Sequence, residues 1–142
     1  MASFNKFQQF VEDVALGVHT AALNADTDTL KVYLSNATPD AALDNVKADL
    51  AEITNENGYT APVDVLNAAS IVTGTITVVG TDVVITASGG TVGPFRYAVL
   101  YNDTPASPLD PLIGWWDYGS AITLQAGESF TVDFGASLFT IA

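Results

Sequence analysis

Three runs decide the fold: Phe95-Arg-Tyr-Ala-Val-Leu-Tyr101, then Ile113-Gly-Trp-Trp-Asp-Tyr-Gly119, then Ser129-Phe-Thr-Val-Asp-Phe134. The first is apolar at alternate and intervening positions alike, which marks a central strand covered on both faces. The last alternates apolar and polar side chains with the period of a half-buried strand. Between the first two, Thr104 to Pro111 holds three prolines and must be irregular, because each fixes φ and removes a backbone donor. Trp115 and Trp116 are adjacent on a strand and so point to opposite faces. One belongs in the core, the other under a loop or against a partner.

Outward from this region the same pattern continues. Thr75–Val79 and Asp82–Thr86 flank Gly80-Thr81, a pair suited to a type II′ hairpin turn. That hairpin would oppose Val78 with Val83 and Ile76 with Ile85, placing all four on one face. Leu30 to Ser35 reads as a strand with Leu30, Val32 and Leu34 on one side. Ala121–Leu124 and Leu138–Ile141 read as two more, and Gln125-Ala-Gly-Glu128 as a tight turn. Eight or nine short strands with turn signals between them predict a mainly β protein, an antiparallel β-sandwich of jelly-roll-like form.

Two helices are expected besides. Phe4, Phe7, Val11, Val14 and Val18 recur at spacings of three and four, predicting an amphipathic helix over 3–18 with Ser3 as its cap. Such a helix packs on its own sandwich or serves as an arm to a neighbour. A shorter helix is expected from about Ala41 to Ile53, with Leu43, Val46, Leu50 and Ile53 inward and Asn57-Gly58 beyond its end. The whole chain, 1–142, reads as a single domain, with 1–20 as helix or arm and 30–142 as sandwich.

Composition narrows the function. The formal charge is −12, from 16 acidic and 4 basic side chains. Lys6, Lys31, Lys47 and Arg96 are scattered, so no cluster exists to displace counterions from nucleic acid. Only 14% of residues are charged and 49% are hydrophobic, against about 25% charged in an ordinary soluble domain. The apolar surplus has two places to go, a large core or a permanent subunit contact, and some of both is expected, the contact being with copies of itself as dimer or trimer. The opening residues lack the basic and apolar regions of a signal peptide, and no run is long enough to span a membrane.

Catalytic equipment is sparse. His19 is the single histidine and cannot build a multi-histidine metal site; it reads as a surface or helix-end residue. No Gly-x-Ser-x-Gly elbow is present. Gly89-Gly-Thr-Val-Gly-Pro94 lacks the Gly-Lys-Ser/Thr ending of a phosphate loop and precedes a strand. Asp103, Asp110 and Asp117 lie near the tryptophans, as in a glycosidase, but more simply cap turns and solubilise the surface. Asp26-Thr-Asp28 and Asn55-Glu-Asn-Gly58 offer oxygen ligands without completing a calcium loop. No catalytic residue, cofactor or metal is expected.

Gly93-Pro-Phe-Arg-Tyr-Ala-Val-Leu-Tyr-Asn-Asp103 and Pro111-Leu-Ile-Gly-Trp-Trp-Asp-Tyr-Gly-Ser120 resemble a family of small structural proteins of tailed bacteriophages. Ala2-Ser-Phe-Asn-Lys-Phe7, Leu30-Lys-Val32 and Asn57-Gly-Tyr-Thr60 match the same family, so the likeness covers most of the chain. The resemblance implies a non-enzymatic virion protein, a cement or decoration protein on the capsid surface, assembled in the host cytoplasm. Its partners would be the major capsid protein and further copies of itself. On this reading Phe4, Phe7, Val11, Trp115, Trp116 and Tyr118 form the protein interface. The rival expectation is a tail-associated β-sandwich that recognises host glycans by stacking sugars on Trp116 or Tyr118.

Overall fold

The computed structural model describes residues 2–19 and 28–142. In chain order it contains β1 (Phe4–Lys6), α1 (Gln8–Ala15), β2 (Leu30–Ser35), β3 (Val63–Asp64), β4 (Ala68–Val72), β5 (Thr75–Val79), β6 (Val83–Thr86), β7 (Val92–Asn102), β8 (Leu112–Leu124), β9 (Ser129–Val132) and β10 (Phe139–Ile141). Every paired ladder is antiparallel. One sheet runs β1-β8-β7-β2-β3, and two smaller ladders run β10-β5-β4 and β6-β9. Side chains from all three meet in one core, where Leu30, Val32, Leu34, Phe95, Leu100 and Trp116 face Val78, Val83, Ile85, Val132 and Phe139. The fold is thus mainly β and sandwich-like.

The central strand stands where its composition places it. β7 lies third in the five-stranded sheet. Phe95, Ala98 and Leu100 enter the inter-sheet core, while Tyr97, Val99 and Tyr101 enter a second cluster on the opposite face with Phe7, Tyr33, Leu50 and Leu112. Phe95 and Ala98 share a face across an odd number of residues because the ladder to β8 shifts register between Phe95 and Tyr97. The expected strands at Ile113–Tyr118 and Ala121–Leu124 are one strand, β8, carried through that irregularity. The turn at Gln125–Glu128 is present, closed by the Glu128 N–H donating to the Gln125 carbonyl at 2.9 Å.

The Gly80-Thr81 hairpin does not form. β5 is flanked by β4 and β10, and β6 pairs with β9, Val83 opposite Val132 and Ile85 opposite Phe130. Leu138 donates its N–H to the Val78 carbonyl at 2.7 Å, bringing the chain's end beside β5. Its side chain lies so close over Gly80 that a Cβ there would meet it at 3.1 Å. The Thr81 N–H instead reaches the Val65 carbonyl at 2.7 Å. The true hairpin is β4–β5, turned by Thr73 and Gly74, which both have positive φ as a type I′ turn requires. The expected face survives the wrong pairing: Ile76, Val78, Val83 and Ile85 all contact the core. Alternation is a property of each strand alone, whereas its neighbour is chosen by the whole fold.

Both expected helices are corrected. The first is only α1, and the residues before it are a strand. Phe4, Asn5 and Lys6 pair with Trp116, Trp115 and Gly114 of β8. Gly114 makes this possible, because a Cβ there would strike the Phe4 ring and the Asn5 carbonyl oxygen. Phe7 is extended at the start of α1, and Ser3 supplies no cap. The buried residues of α1 are Phe10 and Asp13, so Val11 falls on the outward side. In this chain the N-terminal segment belongs to the main sheet.

The second expected helix, over 41–53, reduces to a 3-10 turn at Lys47–Asp49. Acidic side chains compete for its backbone. The Asp40 carboxylate accepts from the N–H groups of Ala42 and Leu43, and that of Asp49 from those of Asn45 and Val46. Leu43, expected inward, is exposed. The segment serves as an irregular cover for the second cluster, anchored where Leu112 donates to Asn45, Lys47 to Asp110 and Ile53 to Leu34.

Candidate interaction surfaces

The β1–β10 side of the sandwich is open. β1 is the outer strand of the large sheet and β10 that of a small one. Between them lies a groove of about 610 Å³ with Phe4, Trp116, Phe134 and Phe139 in its walls. The aromatic rings interlock: Phe4 lies 5.2 Å from Trp116 and 5.8 Å from Phe139, and Trp116 lies 5.1 Å from Phe134. A second groove of about 250 Å³ runs beside α1 and includes Phe10, Val11, Val14 and Ile141. Lys6 and Thr140 line both.

Lys6 differs from the other cations. Lys31 pairs with Asp103 at 2.7 Å, Lys47 with Glu52 at 2.9 Å, and Arg96 with Asp117 at 2.8 Å. Among the described residues Lys6 makes no ion pair and is exposed. It sits between the two apolar grooves and lines both.

Of the six residues read from the sequence as interface, the structure brings Phe4 and Trp116 together in the larger groove and places exposed Val11 in the smaller. The others differ. Phe7 is fully buried, its ring 4.6 Å from that of Trp115, so it is a core residue and corrects that reading. Trp115 is half-buried beneath it and belongs to the second cluster. Tyr118 is half-buried edge-to-face on Phe130 at 4.9 Å, and burial pushes its phenol up to about 12. Trp116 itself is 3% exposed. Its indole does not lie open as a platform on which a sugar ring can stack. Sequence reasoning missed Lys6, Phe134 and Phe139; the signal available was Gly114, whose missing side chain invites a close neighbour.

The acids near the tryptophans are engaged structurally. Arg96 grips Asp117 with two hydrogen bonds, Nε to Oδ1 at 2.8 Å and an Nη to Oδ2 at 3.0 Å, while the Gly119 N–H adds a third. These hydrogen bonds, Arg96 first, hold the Asp117 carboxyl below its ordinary range. A general acid needs the opposite shift. Asp103 accepts from Lys31 and from the Tyr101 hydroxyl. Asp110 is pushed up, mainly by burial and then by neighbouring Asp103, with Lys47 and Lys31 opposing.

His19 is not a surface residue. It is fully buried with Asp13, Asp28 and Asn102, joining the end of α1 to the end of β7. The Asn102 side-chain amide donates to Asp28 at 2.9 Å and lies 3.3 Å from His19 Nδ1. His19 Nε2 faces Asp13 Oδ2 at 3.8 Å, too far for a hydrogen bond, and neither atom has a partner among the described residues. Burial lowers the imidazole pKa, with Asp13 and then Asp28 opposing. Among the described residues no hydroxyl donates to this imidazole.

Among the described residues no group of three or more His, Cys, Asp or Glu is arranged to hold a metal ion. Asp26, in one weighed calcium loop, lies outside the described residues. In the other, Asn55 spends its amide on the backbone of Ala61 in both directions. No described helix is long and apolar enough to cross a membrane. Comparison with protein-family models, curated proteins and solved structures found no match.

Proposed function

We propose that this protein is a non-enzymatic structural protein of a phage virion, a decoration or cement protein that meets the major capsid protein through its β1–β10 side. The observation that carries the reading is the aromatic groove between two open strand edges, lined also by Lys6, which has no ion pair among the described residues. Two outer strands leave ladder positions that an extended segment of a shell subunit fills by main-chain hydrogen bonds. The rings of Phe4 and Phe139 give its side chains apolar contact, and Lys6 receives a carboxylate. The family resemblance of the Gly93–Asp103 and Pro111–Ser120 segments supplies the phage context. An acidic surface suits the outside of a shell whose interior holds DNA, and a capsid-surface protein assembles in the host cytoplasm.

Attachment to purified capsids lacking the protein tests this by co-sedimentation. The double variant Lys6→Glu, Val11→Asp changes only exposed side chains and is expected to weaken attachment by about tenfold or more, the worth of about 1.4 kcal/mol. Val84→Asp, a change at an exposed apolar residue far along the chain on β6, leaves it unaltered. Capsids that take up no wild-type protein would refute the reading.

A further inference from the structure

The β4–β5 hairpin is a second surface, of another kind. Residues 65–81 contain no ionisable side chain, in a chain whose formal charge is −12. Within that stretch Ile71 is 65% exposed, Val72 67% and Leu66 68%. β4 is the outer strand of its sheet. Natural edges are blunted by brevity, charge, proline or bulges. β1 and β3 follow that rule, being three and two residues long and carrying Lys6 and Asp64. β4 is five residues, Ala-Ala-Ser-Ile-Val, with none of these guards.

Backbone geometry defines what the edge offers. Thr73-Gly74 is a two-residue turn, so Val72 and Thr75 close it as a hydrogen-bonded pair. Ser70 with Thr77 and Ala68 with Val79 repeat that phase. The N–H and C=O groups of Ala69 and Ile71 then point away from β5. These two residues, with Ser70 between them, have the spacing at which an antiparallel copy pairs symmetrically: Ala69 opposite Ile71 of the second copy, and Ile71 opposite its Ala69. Side-chain sizes agree, since each large residue (Ile71, Val72) meets an alanine (Ala69, Ala68).

We propose that two copies of this chain pair through β4 about a two-fold axis at Ser70, joining two three-stranded ladders into one six-stranded sheet. The occupant is a second copy because the edge is self-complementary in register and size, as an isologous contact must be. It is also the charge-free part of a strongly acidic molecule, where two like-charged copies approach with least repulsion. Pairing consumes the β4 edge of both copies, so the assembly closes at a dimer.

Sedimentation velocity of the full chain across a concentration series, without capsids, tests this independently of the capsid reading. Wild type is expected to shift from monomer to dimer and no further. Ile71→Lys places a charge on each side of the axis and weakens dimerisation by at least about tenfold. Ala69→Pro removes an outward donor that β5 does not use and weakens it likewise. Val84→Lys, an equally exposed apolar site on β6, leaves it unchanged, and circular dichroism verifies that each variant is folded. A wild type that stays monomeric at the highest concentration, grows beyond dimers, or is dispersed as well by Val84→Lys as by Ile71→Lys overturns the proposal.

Discussion

The β7–β8 and β4–β5 hairpins are made of similar residues and meet opposite fates. Val99 and Leu100 in β7 are fully buried, whereas Ile71 and Val72 in β4 are about two-thirds exposed. Hydropathy does not separate them. What separates them is cover: β7 has the second sandwich layer on one face and the 36–62 segment on the other. The β4–β5 tip has neither among the described residues. Apolar strands therefore stabilise this fold only where another element comes within contact distance, and elsewhere they are surface. The ionisable groups follow the same division. They gather at the margins of β7 and β8, where Arg96 pairs with Asp117 and Lys31 with Asp103, and are absent from the other hairpin.

The contrast is broken most severely at Trp116, which joins the long hairpin to the opposite layer through Phe134 and to β1 through Phe4. Trp116→Ala is expected to cost about 3–5 kcal/mol, read as a lower urea midpoint with little change in slope. A loss below about 1 kcal/mol would show that the aromatic groove is not integral to the core. Gly114→Ala comes next. Its methyl overlaps the Phe4 ring and the Asn5 carbonyl, so β1 must lift or β8 must bend, at about 1–3 kcal/mol. If β1 were a loosely held arm, this variant would be as stable as wild type.

A smaller effect sharpens the picture at the polar end of β7. His19 is buried and its pKa is lowered, so between the unfolded value, about 6.5, and the lower folded value the unfolded chain binds the extra proton. Stability should be constant above about pH 6.5 and fall as pH drops below it. Asp13 and Asp28, which face the imidazole, limit the fall by favouring its charged form. Urea melts between about pH 7.5 and 5.5 measure the slope, and His19→Asn should flatten it. A midpoint that rises on acidification would mean the imidazolium is the folded form.

Much of this fold was legible without coordinates. Alternation in Leu30–Ser35 and continuous apolarity in Phe95–Tyr101 marked the buried side chains, because the direction of a strand side chain follows its parity wherever no register shift intervenes. The opposite orientation of Trp115 and Trp116 follows from the same rule. The helix over 3–18 misled because Phe4 and Phe7 fall at helical spacing while serving a strand and its exit. A sheet with Gly114 at its edge binds an extended segment more favourably than a lone turn of helix forms. The helix over 41–53 misled because the carboxylates of Asp40, Asp44 and Asp49 hold its backbone in turns, a local competition that apolar periodicity does not register. In the candidate site, Phe4, Trp116 and Val11 were legible as apolar residues with a stated face. Lys6, Phe134 and Phe139 were not, since nothing local links residues so far apart in the chain.

By itself the sequence determined the mainly β class, the acidic charge and the inward side chains of the strands it identified, such as Leu30–Ser35 and Thr75–Val79. These depend on composition and on the two-residue repeat of an extended backbone, which each segment carries alone. Tertiary structure alone decided that β5 lies beside β10 instead of β6, that His19 is enclosed, and that Phe7 is core while Ile71 is surface. Those outcomes depend on which distant segments win the places beside a strand, and apolar strands of equal length compete for them on nearly equal terms.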